Sequence, residues 1–178
     1  MSFKISLATQ YLKIGGVLSI PTDTIQGLSC LPNDVSAVNR IVKLKQRSTN
    51  KGLILLASDV KFFADFVEDI NLLKQIKASK EPTTFLLKAS KNINPVLIGG
   101  FDTVAIRLTN NKLIKSLCEK TSSALVSTSA NISGKNSANS MLKLKVFFNN
   151  ELDFIISPKN YIGKSSKIID LKTGERVR

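Results

Sequence analysis

Lys45-Gln46-Arg47 and, three residues on, Lys51-Gly52-Leu53-Ile54-Leu55-Leu56-Ala57 place three cations at the mouth of an unbroken apolar run. Such a run, without polar alternation, fits a strand covered on both faces, as in a sheet flanked by helices. Just upstream, Val35, Val38, Ile41, Val42 and Leu44 recur at helical spacing behind Asn33 or Asp34 as a cap. The cations therefore stand at a helix C-terminus, where positive charge suits the helix dipole. A second stretch, Leu125-Val126-Ser127-Thr128-Ser129-Ala130-Asn131-Ile132-Ser133-Gly134, passes from apolar residues into small hydroxyl and amide groups. Ligands of open α/β sheets bind at the carboxyl ends of strands. The two stretches are read as meeting around a nucleotide triphosphate, with Arg as a planar fork and Lys as a point charge for phosphate oxygens. Taken separately, each also has a plain structural explanation: a solvated helix end for the cations, a helix cap or Ser/Thr turn for the loop.

Working outward, residues 4–14 read as a helix ended by Gly15-Gly16. A buried strand follows at 17–20, then a hydroxyl-rich turn from Pro21 to Leu28. Helices are expected at 58–67, 70–78 and 137–148, and Asn110 is expected to cap another with Leu113, Ile114, Leu117 and Cys118 on one side. Strands are expected at 83–88, 103–108, 124–127, 153–157 and 167–171, with a last short strand ending at Arg178. Residues 92–102, with Pro95 and Gly99-Gly100, read as a loop. Arg107, amid apolar neighbours, is placed across the strand from Ala105. An Arg there is costly unless it lines a wet cavity or meets an anion. The interleaved strands and helices indicate one α/β domain over residues 1–178, with a mixed sheet flanked by helices.

With 178 residues and a hydrophobic fraction of 43%, the chain can build a core. No run reaches the roughly 18–20 apolar residues of a membrane span, and no signal peptide is read at the start. A cytoplasmic location is the expectation. The net charge of +13 points to nucleotides, RNA or another polyanion. There is no His, which excludes Ser-His-Asp and Cys-His catalysis and any imidazole-built metal site. Cys30 and Cys118 are isolated and are expected to be buried and reduced. Gly163-Lys164-Ser165 resembles the tail of a P-loop, but Pro158 stands where its first Gly belongs, and a strand-like run follows instead of a helix.

Four segments occur in order: Pro21-Thr22-Asp23-Thr24 with Gly27-Leu28, Lys45-x-Arg47, Phe101 through Thr109 (FDTVAIRLT), and Ser127-Thr128-Ser129-Ala130-Asn131-x-Ser133-Gly134. Together they resemble the threonylcarbamoyl-AMP synthase family of the YrdC/TsaC type, in its short form, over nearly the whole chain. The resemblance implies a twisted mixed sheet curved around a large basic cavity. It also implies a reaction of L-threonine, bicarbonate or carbon dioxide, and ATP, giving L-threonylcarbamoyladenylate and pyrophosphate. A downstream transferase complex would use the product to make threonylcarbamoyladenosine beside the tRNA anticodon. By position, Lys45, Arg47, Ser129 and Asn131 match the family's tetrad around the nucleotide and carry the catalytic assignment. Lys51, Ser133, Ser137 and Arg178 are further ATP contacts. Thr24, Arg107, Ser127 and Ser165 are placed around threonine, with Thr22 competing with Thr24, and Arg107 is the partner of the carboxylate. Magnesium would enter with the triphosphate, with no metal-binding residues assigned on the protein. Gln26 stands where the family usually has an aromatic residue, and Ser29 where Gly is common.

A different class of reading is a non-catalytic protein of the same fold that binds double-stranded RNA, with weak tRNA or RNA binding as its mildest form. The absence of Trp and the two Tyr leave little for base stacking. A third is the carbamoyl-adenylate chemistry of similar domains in hydrogenase maturation, but the zinc-finger and acylphosphatase segments that accompany those domains are absent.

Overall fold

The apolar run after Lys51 becomes a central strand. In the computed structural model, which describes residues 2–79, 81–159 and 165–177, it forms β3 (Ile54–Ala57), in which Leu55, Leu56 and Ala57 are fully buried. The other strands are β1 (Leu18–Pro21), β2 (Gln26–Ser29), β4 (Thr83–Lys88), β5 (Thr103–Leu108), β6 (Leu125–Ser129), β7 (Phe154–Ile155) and β8 (Lys167–Asp170). They make one eight-stranded mixed sheet in the order β7-β1-β2-β6-β3-β5-β4-β8. β3 runs parallel to β5 and antiparallel to β6, with Ile54 beside both Ala105 and Ser127. β2 pairs with β6 so that Gly27 lies opposite Ser129. The register thus brings the hydroxyl turn after β1, the end of β6 and the middle of β5 to one region. Arg107 shares a face with Ala105, not the opposite face, because strand side chains repeat every two residues; both line the same cavity.

The helices are α1 (Ser2–Lys13), α2 (Val35–Leu44), α3 (Pro95–Ile98), α4 (Lys112–Thr121) and α5 (Met141–Phe148). In α2 the apolar stripe Ala37, Val38, Ile41, Val42 and Leu44 is buried, while Val35 is 54% exposed and lies off that stripe. Asp34 is the cap, accepting from the Ala37 N–H at 2.8 Å. For α4 the cap is Asn111, one residue later than expected. Among the described residues no helix is long and apolar enough to cross a membrane. Cys30 and Cys118 are buried free thiols, and burial raises both pKa values, that of Cys118 to about 12.

Several elements differ from the sequence reading. The turn after β1 is shorter than expected, because Gln26–Ser29 is a fully buried strand. The Gln26 amide is satisfied there by donating to Ser19 Oγ (2.9 Å) and Ile156 O (3.0 Å). The segments Val60–Phe66 and Ile70–Gln75 are 3₁₀ helices rather than α-helices. Asp59 and Asp69 accept from N–H groups two residues on, which tightens the first turn of each. α3 interrupts the expected loop at 92–102. α5 starts at Met141, not 137, behind a Ser140 cap. The final strand reduces to an Ile169–Arg176 bridge, and Arg178 lies outside the described residues.

Two loops are stitched together beside the sheet. Lys51 bridges Gly99, the Gly100 N–H donates to Asn50 O at 3.1 Å, and the Leu53 N–H donates to Leu97 O at 2.8 Å. Gly99 has φ +65° and ψ −132°, a conformation open essentially to glycine. A methyl group on it would lie 2.6 Å from Asn50 O and 2.7 Å from Gly52 N. Gly99→Ala is therefore expected to cost about 2 kcal/mol or more in denaturant unfolding, since neither backbone can yield cheaply. A loss below about 0.5 kcal/mol would show that the stitch is dispensable.

Candidate functional site

The end of α2 decides where the cations go. Gln46 adopts φ +48°, its N–H donates to Lys43 O (2.9 Å), and the Arg47 N–H donates to Val42 O (3.1 Å). This is a Schellman-type reversal with Gln in the position usually held by Gly. It turns Lys45 inward and sends Arg47 towards the sheet. Lys45 is 2% exposed. Its Nζ donates to Asn131 Oδ1 (2.9 Å), to Asn131 O (3.0 Å) and to Ser129 O, with Ser129 Oγ at 3.4 Å. Ser129 Oγ in turn donates to Asn131 Oδ1 at 2.5 Å, and the Ser133 N–H donates to Lys45 O at 2.8 Å. One ammonium thereby ties the end of α2 to the loop after β6. Burial, then the neighbouring Arg47 charge, lower its pKa from 10.5 to about 7. The ring of oxygens acts in the opposite sense, by favouring the charged form.

A cavity of about 390 Å³ opens beside this clip. Its lining includes Arg47, Lys51 and Ser129 from the expected nucleotide set, and Thr22, Thr24, Arg107, Ser127 and Ser165 from the expected amino-acid set. Lys45, Asn131, Ser133 and Ser137 are not among the lining residues. Lys45 and Asn131 stand behind Ser129, and Ser137 Oγ donates to Gln26 O at 3.3 Å. Arg47 Nη2 donates to Gly52 O at 2.8 Å, which holds the guanidinium against the start of the central strand.

Arg107 is 4% exposed. Its Nη2 pairs with Asp23 Oδ1 at 3.1 Å, its Nη1 donates to Thr24 Oγ1 at 3.3 Å, and its buried Nε has no hydrogen-bond partner among the described residues. Burial lowers its pKa and Asp23 raises it, but an arginine stays charged. A buried guanidinium with donor capacity left over, in the wall of a cavity, is suited to an anion. Thr22 Oγ1 donates to Ile25 O (2.7 Å) and lies 3.1 Å from Thr24 Oγ1, fixing the turn that carries both hydroxyls.

Residues that sequence reasoning did not single out also line the cavity: Thr103, Thr128, Ser166, Leu97 and Phe101. The signal for Thr103 was present, since it shares the two-residue repeat of Ala105 and Arg107. The ion pair from Asp23 had no comparable signal, because nothing local links it to β5. Among the described residues no group of three His, Cys, Asp or Glu could hold a metal ion.

The Lys45 clip has a pH signature. The unfolded chain titrates this amine near 10.5 and the folded chain near 7. Between those values the unfolded state carries a proton that the folded state has shed, so stability rises with pH over that window. Comparing denaturant unfolding of the parent and Lys45→Met at pH 7 and pH 9 cancels the other groups. The parent's margin over the variant is expected to grow with pH; a flat or shrinking margin would show that the ring of oxygens outweighs burial and keeps the amine charged.

The Sua5/YciO/YrdC family model, described as "Telomere recombination", matches residues 10–178. The chain is 37% identical over 189 aligned residues to a threonylcarbamoyl-AMP synthase of Nitrosococcus oceani, covering 99% of this chain and 98% of the relative. It is 36% identical to the Haemophilus influenzae protein of the same name, covering 94% of each. Among solved structures, Pyrococcus abyssi Sua5 complexed with L-threonine superposes with a TM-score of 0.85 at 29% identity over 97% of this chain, which spans 52% of that longer protein. Escherichia coli YciO gives a TM-score of 0.83 at 25% identity, covering all of this chain and 89% of that one. The family model and these full-length relatives agree, and the chain belongs to the Sua5/YciO/YrdC family.

Proposed function

We propose that the chain joins L-threonine, carbon dioxide or bicarbonate, and ATP into L-threonylcarbamoyladenylate, releasing pyrophosphate. The observation that carries this reading is that one cavity holds both a phosphate-type set, Arg47, Lys51 and Ser129, and an amino-acid-type set, Thr24, Arg107, Ser127 and Ser165. The relatives named threonylcarbamoyl-AMP synthase support it, as does the neighbour crystallised with L-threonine.

The chemistry asks for positioning and charge neutralisation. The threonine nitrogen, as a free amine, adds to the carbon of carbon dioxide and loses a proton, giving a carbamate. A carbamate oxygen then attacks the α-phosphorus of ATP, and the bond to the bridging oxygen breaks to release pyrophosphate. No protein nucleophile is needed, so the absence of His is no obstacle. Arg107 is assigned the threonine carboxylate, in competition with Asp23. Arg47 and Lys51 are assigned the phosphate oxygens, where charge builds as pyrophosphate departs. The hydroxyls of Thr24, Ser127 and Ser165 would hold the amino acid, with Thr22 bracing Thr24. Lys45 and Asn131 would act through Ser129, by fixing its hydroxyl at the cavity wall. Ser133 and Ser137 would brace the same loop. Magnesium is expected to arrive on the triphosphate, with phosphate oxygens and water completing its shell. The product is a labile mixed anhydride, which suits hand-over to a transferase that modifies tRNA beside the anticodon.

The deciding assay follows pyrophosphate release from ATP with magnesium and bicarbonate, with and without threonine. Release that depends on threonine is expected, and release indifferent to threonine sinks the reading. Arg47→Ala is expected to lose turnover by about a hundredfold or more with an unchanged fold by circular dichroism; near-parental activity would take Arg47 out of the site. Arg107→Lys is expected to raise the KM for threonine by roughly ten- to a hundredfold, because an ammonium cannot reproduce the fork, while the KM for ATP changes little. An unchanged KM for threonine would reassign Arg107.

A further inference from the structure

Phe101 is a large aromatic side chain that is 62% exposed and yet lines the cavity. An exposed phenyl ring at a cavity mouth leaves a flat apolar face without a partner. Its placement is not loose. The Lys51–Gly99 bridge and the Gly100-to-Asn50 hydrogen bond lock the segment before Phe101 onto the loop that carries Lys51. Gly99 and Gly52 both permit that approach, since a side chain on Gly99 would strike the backbone of Asn50 and Gly52, and one on Gly52 would lie 2.9 Å from Ile98 O. The backbone that carries the ring is thereby tied to the loop of Lys51, which lines the cavity together with Arg47 and Arg107. Leu53 and Leu97, both about 1% exposed, form apolar wall in the same cavity.

A ligand that matches this arrangement has an anionic chain at one end and a flat π-system at the other. Threonine and carbon dioxide have no flat ring, and a nucleoside triphosphate has one. Resting on the adenylate-forming reading above, we propose that Phe101 is the stacking platform for the nucleotide base, with Arg47 and Lys51 taking the phosphates. Phenylalanine offers a face and no hydrogen-bonding edge. The platform therefore grips a purine by its surface and contributes affinity rather than strict base identity.

The chain contains no Trp, which gives a clean reporter. Phe101→Trp keeps a stacking face and introduces a single indole at the cavity mouth. Its fluorescence is expected to change saturably with magnesium-ATP and with magnesium-ITP. Tripolyphosphate, which carries the phosphates without a base, is expected to leave the signal unchanged while competing with ATP. Phe101→Ala, a change at an exposed side chain, is expected to weaken ATP binding in calorimetry by about tenfold or more. Its tripolyphosphate affinity and its KM for threonine are expected to match the parent. The proposal is overturned by an indole silent to ATP where calorimetry shows binding, by an equal response to tripolyphosphate, or by parental ATP affinity in Phe101→Ala. An indole that responds to ATP in a protein whose pyrophosphate release ignores threonine would keep the platform and discard the reaction. Threonine-dependent release with a silent indole would do the reverse.

Discussion

A single buried ammonium holds the site together. Moving a charged amine out of water costs several kcal/mol, and the cost is offset only where oxygens replace the lost hydration. Lys45 finds those oxygens on Ser129 and Asn131, in a loop that is distant in sequence. Removing the amine would strand carbonyl groups at the cavity's back wall, at about 1–3 kcal/mol for each buried acceptor left without a donor. The geometry of Ser129, and through it that of the wall, therefore depends on a residue that is not among those lining the cavity. The reversal at Gln46 lets neighbouring cations do different jobs: Lys45 goes into the wall, and Arg47 reaches the cavity itself.

The side of the cavity proposed for the amino acid depends on a second buried cation with a different logic. Arg107 comes from near the end of β5, next to the central strand, where its backbone is paired with Leu56. Asp23 supplies one counter-charge and Thr24 one acceptor, and the Nε remains unspent. The resulting group is already desolvated and oriented, with donor capacity left on its terminal nitrogens. Such a group can meet an anion without waiting for side chains to order. The two halves meet because β6 lies between β2 and β3, which puts Gly27, Ser129, Ser127 and Ile54 in adjacent rows.

Much of this was legible in the sequence, for stateable reasons. Thr83–Lys88 and Thr103–Leu108 stand out because β-branched and apolar residues are fenced by Pro82, Gly99-Gly100 and Asn110. The cavity set Thr22, Thr24, Arg47, Lys51, Arg107, Ser127, Ser129 and Ser165 could be named because cations and hydroxyls at strand ends, in that order, match a family pattern. The failures have physical causes too. Over one or two turns a 3₁₀ helix and an α-helix bury nearly the same residues, and an Asp cap serves either, so the sequence marks these segments as helical without telling which kind. Gln26 hid a strand because its partners, Ser19 and Ile156, come from other strands and chain segments. In sequence Lys45 stands among the nucleotide contacts; its place behind Ser129 has no local signal, since its four oxygens arrive only with the fold. Phe101 passed as one more apolar residue, because its exposure depends on a stitch between two loops.

Lys45 and the Ser129–Asn131 loop are tied by four oxygens to one amine, so they should respond to mutation as one unit. A double-mutant cycle on denaturant unfolding with Lys45→Met, Asn131→Ala and the double variant measures that coupling. If the clip holds the two halves together, the single losses overlap, and the coupling energy is expected to be about 1–3 kcal/mol. Losses that add to within about 0.5 kcal/mol would contradict it.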